Sequence, residues 1–162
     1  MNSQIAALDM LYRNLRFTQL VHEGEAYLSK LTSTLLKIVN IGLIASILLL
    51  QLLQSSRSSR DFTGASIALA VVGVALQAFQ LSFNFENKHN LHRETAKNAV
   101  SLKNSLLLLK ADLQSSARMT DELLARRDGT VEEINSLYTS APQTGWLAKL
   151  VAGVQYRKDE VD

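Results

Sequence analysis

Apolar and polar side chains are sorted along this chain into long blocks rather than short alternations. Residues 38–56 (IVNIGLIASILLLQLLQSS) and 62–85 (FTGASIALAVVGVALQAFQLSFNF) contain no Asp, Glu, Lys or Arg. A helix crosses about 30 Å of hydrocarbon with roughly 20 apolar residues, so each block has the length of a membrane span. Phe62, Phe79, Phe83 and Phe85 lie near the ends of the second block, where aromatic rings tolerate the interface. The linker SSRSSRD at 55–61 is long enough only for a turn. The two spans are therefore expected to be antiparallel neighbours, with both chain ends on one side of the bilayer. A secretory signal fits poorly, because a polar helical segment precedes the first block. Burial of both blocks in a soluble core would need more covering elements than so short a chain supplies.

Outside the blocks the pattern is amphipathic. Ile5, Leu8, Tyr12 and Leu15 recur at spacings of three and four, with Arg13, Asn14 and Arg16 between them, which predicts an amphipathic helical arm. Gly24 is read as a break, after which a helix carrying Tyr27 and Leu31 runs into the first span, with Lys37 reaching back to the headgroups. Beyond the second block no Gly or Pro appears before Gly129, so the span is expected to continue as one long helix. Along it Thr95, Ala99, Leu102, Leu106, Leu109, Leu113, Ser116, Thr120 and Leu123 form a heptad seam. Ala99, Leu102, Leu106, Leu109 and Leu113 are its candidate contact positions, closing either on the arm of the same chain or on a neighbouring copy. Thr130 and Glu133 read as a capping box that opens a further helix with Val131, Ile134, Leu137 and Tyr138, and Pro142 ends that region. Thr144 is the expected cap of a last helix with Trp146, Leu147, Leu150, Val151 and Val154 on one broad side and Lys149, Arg157 and Lys158 nearby. Such a helix suits either a membrane surface or docking on the long helix.

These elements define an all-α membrane protein: a two-span transmembrane helical hairpin with long cytoplasmic helical extensions, its second span continuous with a long cytoplasmic helix. One domain is expected over 1–162. It comprises an N-terminal arm at 1–30, a first membrane helix at 31–56, a second at 62–85, a long cytoplasmic helix at 86–128 and short helices at 129–162. Lys30 and Lys37 precede the first span and Lys88, Arg93, Lys97 and Lys103 follow the second, against Arg57 and Arg60 in the linker. The excess of positive charge at the termini predicts a multi-pass inner-membrane protein with both ends in the cytoplasm.

On the second span Ser66, Ala70, Gly73, Gln77, Gln80 and Asn84, followed by Asn87, fall at alternating spacings of four and three. This stripe of small and polar residues faces protein or water rather than lipid. Several copies pointing it inward would line a polar, uncharged conduit; alternatively the stripe bonds to Asn40, Ser46 or Gln51 of the first span.

Composition narrows the chemistry. The chain of 162 residues carries a net charge of +2, which gives no pull toward direct nucleic-acid binding. It has no Cys, so thiol nucleophiles and thiolate metal sites are absent. His89 and His92 are three apart but lack further ligands, and Glu132 and Glu133 sit in no predicted cleft. No phosphate loop, nucleophile elbow or zincin motif occurs, so neither an enzyme, a metal nor a cofactor is expected.

The order of arm, span, short linker, span and long helix resembles the SLATT domain, the SMODS and SLOG-associating two-transmembrane effector family. The segments HNLHRETAKNAVSLKNSL (89–106) and RRDGTVEEINSLYTSAPQTGWL (126–147) carry the likeness through the rest of the chain. The resemblance implies a pore-forming, homo-oligomeric effector of bacterial antiviral defence. In that reading it permeabilises the membrane when an operon-encoded sensor or nucleotide-synthesising partner detects infection, since this chain carries no sensor of its own. The alternative is a membrane-anchored scaffold or sensor that recruits a cytosolic partner through the long helix.

Overall fold

A computed structural model describes residues 2–56, 63–116 and 120–159. These residues form five helices and no strand among those described: α1 (Asn2–Ser56), α2 (Thr63–Phe83), α3 (Phe85–Ser115), α4 (Asp121–Ser140) and α5 (Trp146–Asp159). Two stretches are long and apolar enough to cross a membrane, with a mean hydropathy of 2.1 on α1 and 1.8 on the stretch that begins at Thr63. The all-α two-span class expected from the sequence is thus borne out. From residue 57 to 62 the predicted linker, with Phe62, lies outside the described residues.

The helices divide into two units, the described residues of Met1–Leu28 with His89–Asp162, and Ser29–Lys88. In the first unit α3 lies antiparallel to the beginning of α1. Lys110 reaches Asp9 at 2.5 Å, Lys103 donates to Gln19 at 2.9 Å and the His89 ring meets the Ala26 carbonyl. Their common seam is the core. Ala99, Leu102, Leu106, Leu109 and Leu113 of α3 are buried with Leu8 and Leu15 of α1, and Leu123, Ile134 and Leu137 of α4 close the same cluster. The α3 spacing of three and four keeps every one of these residues on a single face.

Four boundaries differ from the sequence reading. Gly24 is not a break, for α1 passes through it. A Cβ there would lie 3.7 Å from Ala148 Cβ, so Gly24 is a packing point against α5, and tertiary contact offsets its weak helix propensity. The long helix predicted over 86–128 instead ends at Ser115, and α4 runs through Gly129 without interruption. Thr120 caps α4, accepting the Leu123 N–H at 3.3 Å, and Asp121 and Glu122 in the first turn suit the positive helix end. Thr130 is therefore mid-helix; its hydroxyl donates back to the Arg126 carbonyl at 2.9 Å and opens nothing. The fold-back is favoured because it brings three more apolar side chains onto the leucine seam, and Arg126 pairs with Asp112 across it at 2.7 Å. A local cap motif at Thr130 has no such burial to offer. At the far end Ala141 is extended ahead of Pro142, as the residue before proline prefers. Gly145, not Thr144, sits at the cap position of α5, its carbonyl accepting the Lys149 N–H.

α5 runs antiparallel to α1 and docks through small residues. Ala148 and Ala152 are buried with Val21, Tyr156 meets Phe17 edge-on at 6.1 Å, and Arg16 stacks over the Tyr156 ring. The buried Glu25 carboxylate accepts the Gly145 N–H at the N-terminus of α5, where backbone donors are unsatisfied. The last helix thus docks on α1 rather than α3, with its large apolar side chains turned outward.

In the second unit one face of each span is half-buried. On α1 this face is Leu36, Asn40, Leu43, Ile47 and Leu50; on α2 it is Ser66, Leu69, Gly73, Leu76 and Gln80. Both sets alternate three and four, the geometry of helices packed side by side. Gly73 brings the backbones together opposite Asn40, and Gln54 donates to Thr63 at 3.1 Å toward the linker end. The remaining apolar side chains, such as Ile41, Leu48, Val71 and Val74, are exposed, as lipid contact requires. Between α2 and α3 a single residue, Asn84, has a positive φ of 40°. Helical hydrogen bonds continue on both sides, Asn84 to Gln80 and Lys88 to Asn84, each at 3.1 Å.

Leu106→Ala should destabilise the first unit by about 2–5 kcal/mol, the usual range for emptying a full leucine site. Gly24→Ala should be neutral or stabilising by up to about 1 kcal/mol through helix propensity. Denaturant unfolding of the whole chain in detergent, followed by circular dichroism, measures both. A loss of stability in Gly24→Ala would show that the close packing on Ala148 has no tolerance.

Candidate functional site

A cleft of about 530 Å³ lies in the hairpin. α1 contributes Ser33, Lys37 and Asn40; α2 contributes Gln77, Gln80 and Leu81; Asn84, Phe85 and Glu86 complete it. Lys37 donates to the Glu86 carboxylate, and both side chains are more than half exposed. Asn40, Gln77 and Gln80 thus place three uncharged amides within the charge-free blocks.

Of the six candidate stripe residues, Gln77, Gln80 and Asn84 come together in this cleft, whereas Ser66, Ala70 and Gly73 lie outside it. The stripe divides between two faces. Ser66, Gly73 and Gln80 are half-buried toward the first span, and Ala70, Gln77 and Asn84 are exposed beside them. The Ser66 hydroxyl and the Gln80 amide nitrogen are buried without a hydrogen-bond partner among the described residues. Ser46, a proposed partner for the stripe, instead donates to Gly42 of its own helix at 2.8 Å. Buried amides and hydroxyls are ordinarily bonded, so these two groups are exceptions within the hairpin. The five seam candidates, Ala99, Leu102, Leu106, Leu109 and Leu113, lie elsewhere, in the core of the first unit.

A second cluster was not foreseen. His22 of α1 and His92 of α3 are both buried, with their Nδ1 atoms 2.8 Å apart and ring centroids 5.1 Å apart. One ring donates its Nδ1–H and the other accepts through a bare Nδ1, so one proton is shared at this contact. Burial, reinforced by His92, pushes His22 down to about 4, with the nearby Glu25 carboxylate acting in the opposite direction. The signal for this pair was available in the sequence. His22 stands seven residues beyond Leu15 and fourteen beyond Leu8, and His92 stands seven before Ala99, so both occupy seam positions. His89 meets the α1 backbone at Ala26. The described residues contain no group of three or more His, Cys, Asp or Glu able to hold a metal.

Compared with known families, the chain matches over residues 4–150 the model described as SMODS and SLOG-associating 2TM effector domain family 4. The match takes in both spans, all of α3 and α4 and the start of α5. No curated protein and no solved structure matches the chain.

The buried histidine pair gives the first unit a defined pH response. Free imidazole titrates near 6.5 and folded His22 near 4, so between those values the unfolded chain binds a proton that the folded one refuses. The melting temperature should therefore fall as pH drops through this window, and it should fall less steeply in His22→Gln. Identical pH profiles for the two chains would contradict the assignment.

Proposed function

This chain belongs to the SMODS and SLOG-associating 2TM effector domain family, and from that premise we propose that it assembles in the membrane and permeabilises it on command. Domains of this family are membrane effectors of conflict systems. The finer reading is that copies of the hairpin gather so that the amide-lined cleft faces a shared, water-filled path. The observation that carries it is the placement of Asn40, Gln77 and Gln80 in one cleft of a hairpin whose other faces suit lipid. In hydrocarbon, unpaired amides and hydroxyls cost several kcal/mol unless they find water or another chain. Assembly supplies either.

The same reading places the protein in the inner membrane with cytoplasmic termini, as the lysine and arginine distribution favours. The family description names SMODS and SLOG as associates, which supports a separate sensor or nucleotide-synthesising partner as the trigger. No catalytic step is assigned to the chain. A scaffold that recruits a partner through the α3 seam is disfavoured, since that apolar face is already occupied by Leu8, Leu15 and α4.

Reconstitution of the full chain into dye-loaded vesicles tests the proposal. The wild-type chain, at protein densities that permit assembly, should release dye, and the paired substitution Gln77→Leu with Gln80→Leu should reduce release at least tenfold while leaving helicity unchanged. Release that is equally fast in the double variant would rule out this cleft as the path.

A further inference from the structure

The docking of α5 through alanines leaves Trp146, Leu147, Leu150, Val151 and Val154 facing outward, each 49–70% exposed. Five large apolar side chains on one helical face, flanked by exposed Lys149 and Arg157, form a ridge that none of the described residues covers. On α4 the opposite kind of surface occurs. Glu122, Ala125, Gly129, Glu132 and Ser136 recur at spacings of three and four and are all exposed. Gly129 is the informative member. It lies inside a helix, where glycine costs about 1 kcal/mol relative to alanine, and a Cβ there would meet nothing within 4 Å. Nothing within the described chain requires the glycine, whereas a helix approaching from outside would.

Beside this stripe a groove of about 320 Å³ runs between α3 and α4. Leu102 and Leu137 are its buried apolar lining, and Glu133, Ser136 and Asn98 are exposed along it. The charges are complementary. Arg126 and Arg127 of α4 are engaged by Asp112 and Asp128, so Glu122, Glu132 and Glu133 set the sign of this face against Lys149 and Arg157 on the ridge.

We propose that the α5 ridge of one molecule seats on the α3–α4 groove and the Gly129 stripe of a second copy of this chain. Ridge and groove are different surfaces of the same molecule, so the contact is head-to-tail and repeats from copy to copy, closing into a ring when the rotation allows. The proposal rests on the assembly part of the function given above and supplies its interface.

The chain contains one Trp and no Cys, which makes it its own probe. The full-length protein is placed in vesicles of phosphatidylethanolamine and phosphatidylglycerol at increasing protein-to-lipid ratio. Trp146 emission should shift to the blue as copies accumulate, and Gly129→Leu should abolish the shift without lowering the melting temperature, because the new side chain enters open space. Vesicles with brominated acyl chains should leave Trp146 unquenched; strong quenching would make the bilayer the occupant and overturn the proposal. Leu150→Cys combined with Gly129→Cys should give a ladder of oxidised oligomers, while a mixture of the two single variants should stop at dimers. Dimers from Leu150→Cys alone would mean a symmetric contact and also overturn it. Ladders in vesicles that retain their dye would sink the conduit and keep the interface, and dye release without ladders would do the reverse.

Discussion

The packing of the α3 leucines against Leu8 and Leu15 of α1 is the contact on which the first unit depends. It fixes α1 and α3 side by side over several turns, and its uncovered flank is what α4 folds back to fill with Leu123, Ile134 and Leu137. Without that flank Thr120 would have no reason to start a new helix, since nothing in its vicinity forbids continuation by glycine or proline. Burial of a leucine contributes roughly 1.5–3 kcal/mol, against about 1 kcal/mol for a cap, so the core decides where the helices turn and the cap follows.

Toward Gly24 the character of the same interface changes. Leucines give way to Ala96, Ala99, His22, His92 and Glu25, small or polar and all buried. Small residues allow α5 to approach α1 closely, with Ala148 opposite Gly24, and the polar groups find partners in one another and in the start of α5. A helix held by two alanines, one aromatic contact and one carboxylate buries little apolar area of its own. Its large side chains remain outside, which is unusual for a helix in a monomer and expected for one that has a further surface to cover.

The hairpin obeys the opposite rule. Lipid is as apolar as leucine, so its spans gain little by hiding large side chains and associate through Gly73, Ser66 and the alternating half-buried positions. In that setting an amide is conspicuous, and the gathering of Gln77, Gln80 and Asn40 in one cleft is the feature that distinguishes this pair of helices from a plain anchor.

Both spans, their antiparallel hairpin order and the α3 seam were legible in the sequence because each follows from a one-dimensional property: the length of a charge-free run, or a spacing of three and four. The Gly24 continuity, the end of α3 at Ser115, the His22–His92 pair and the outward face of α5 were not legible. Each depends on which helix lies opposite, and local propensities of about 1 kcal/mol yield to that burial. Thr130 with Glu133 is as good a start signal as Thr120, yet only the latter lets three apolar side chains reach the leucines. The sequence by itself determined that this chain spans a membrane twice and carries a helix in need of a partner; the tertiary structure decided that α1 and α4 are that partner, because they bury its seam within the chain, and so left α5 as the apolar face still to be covered.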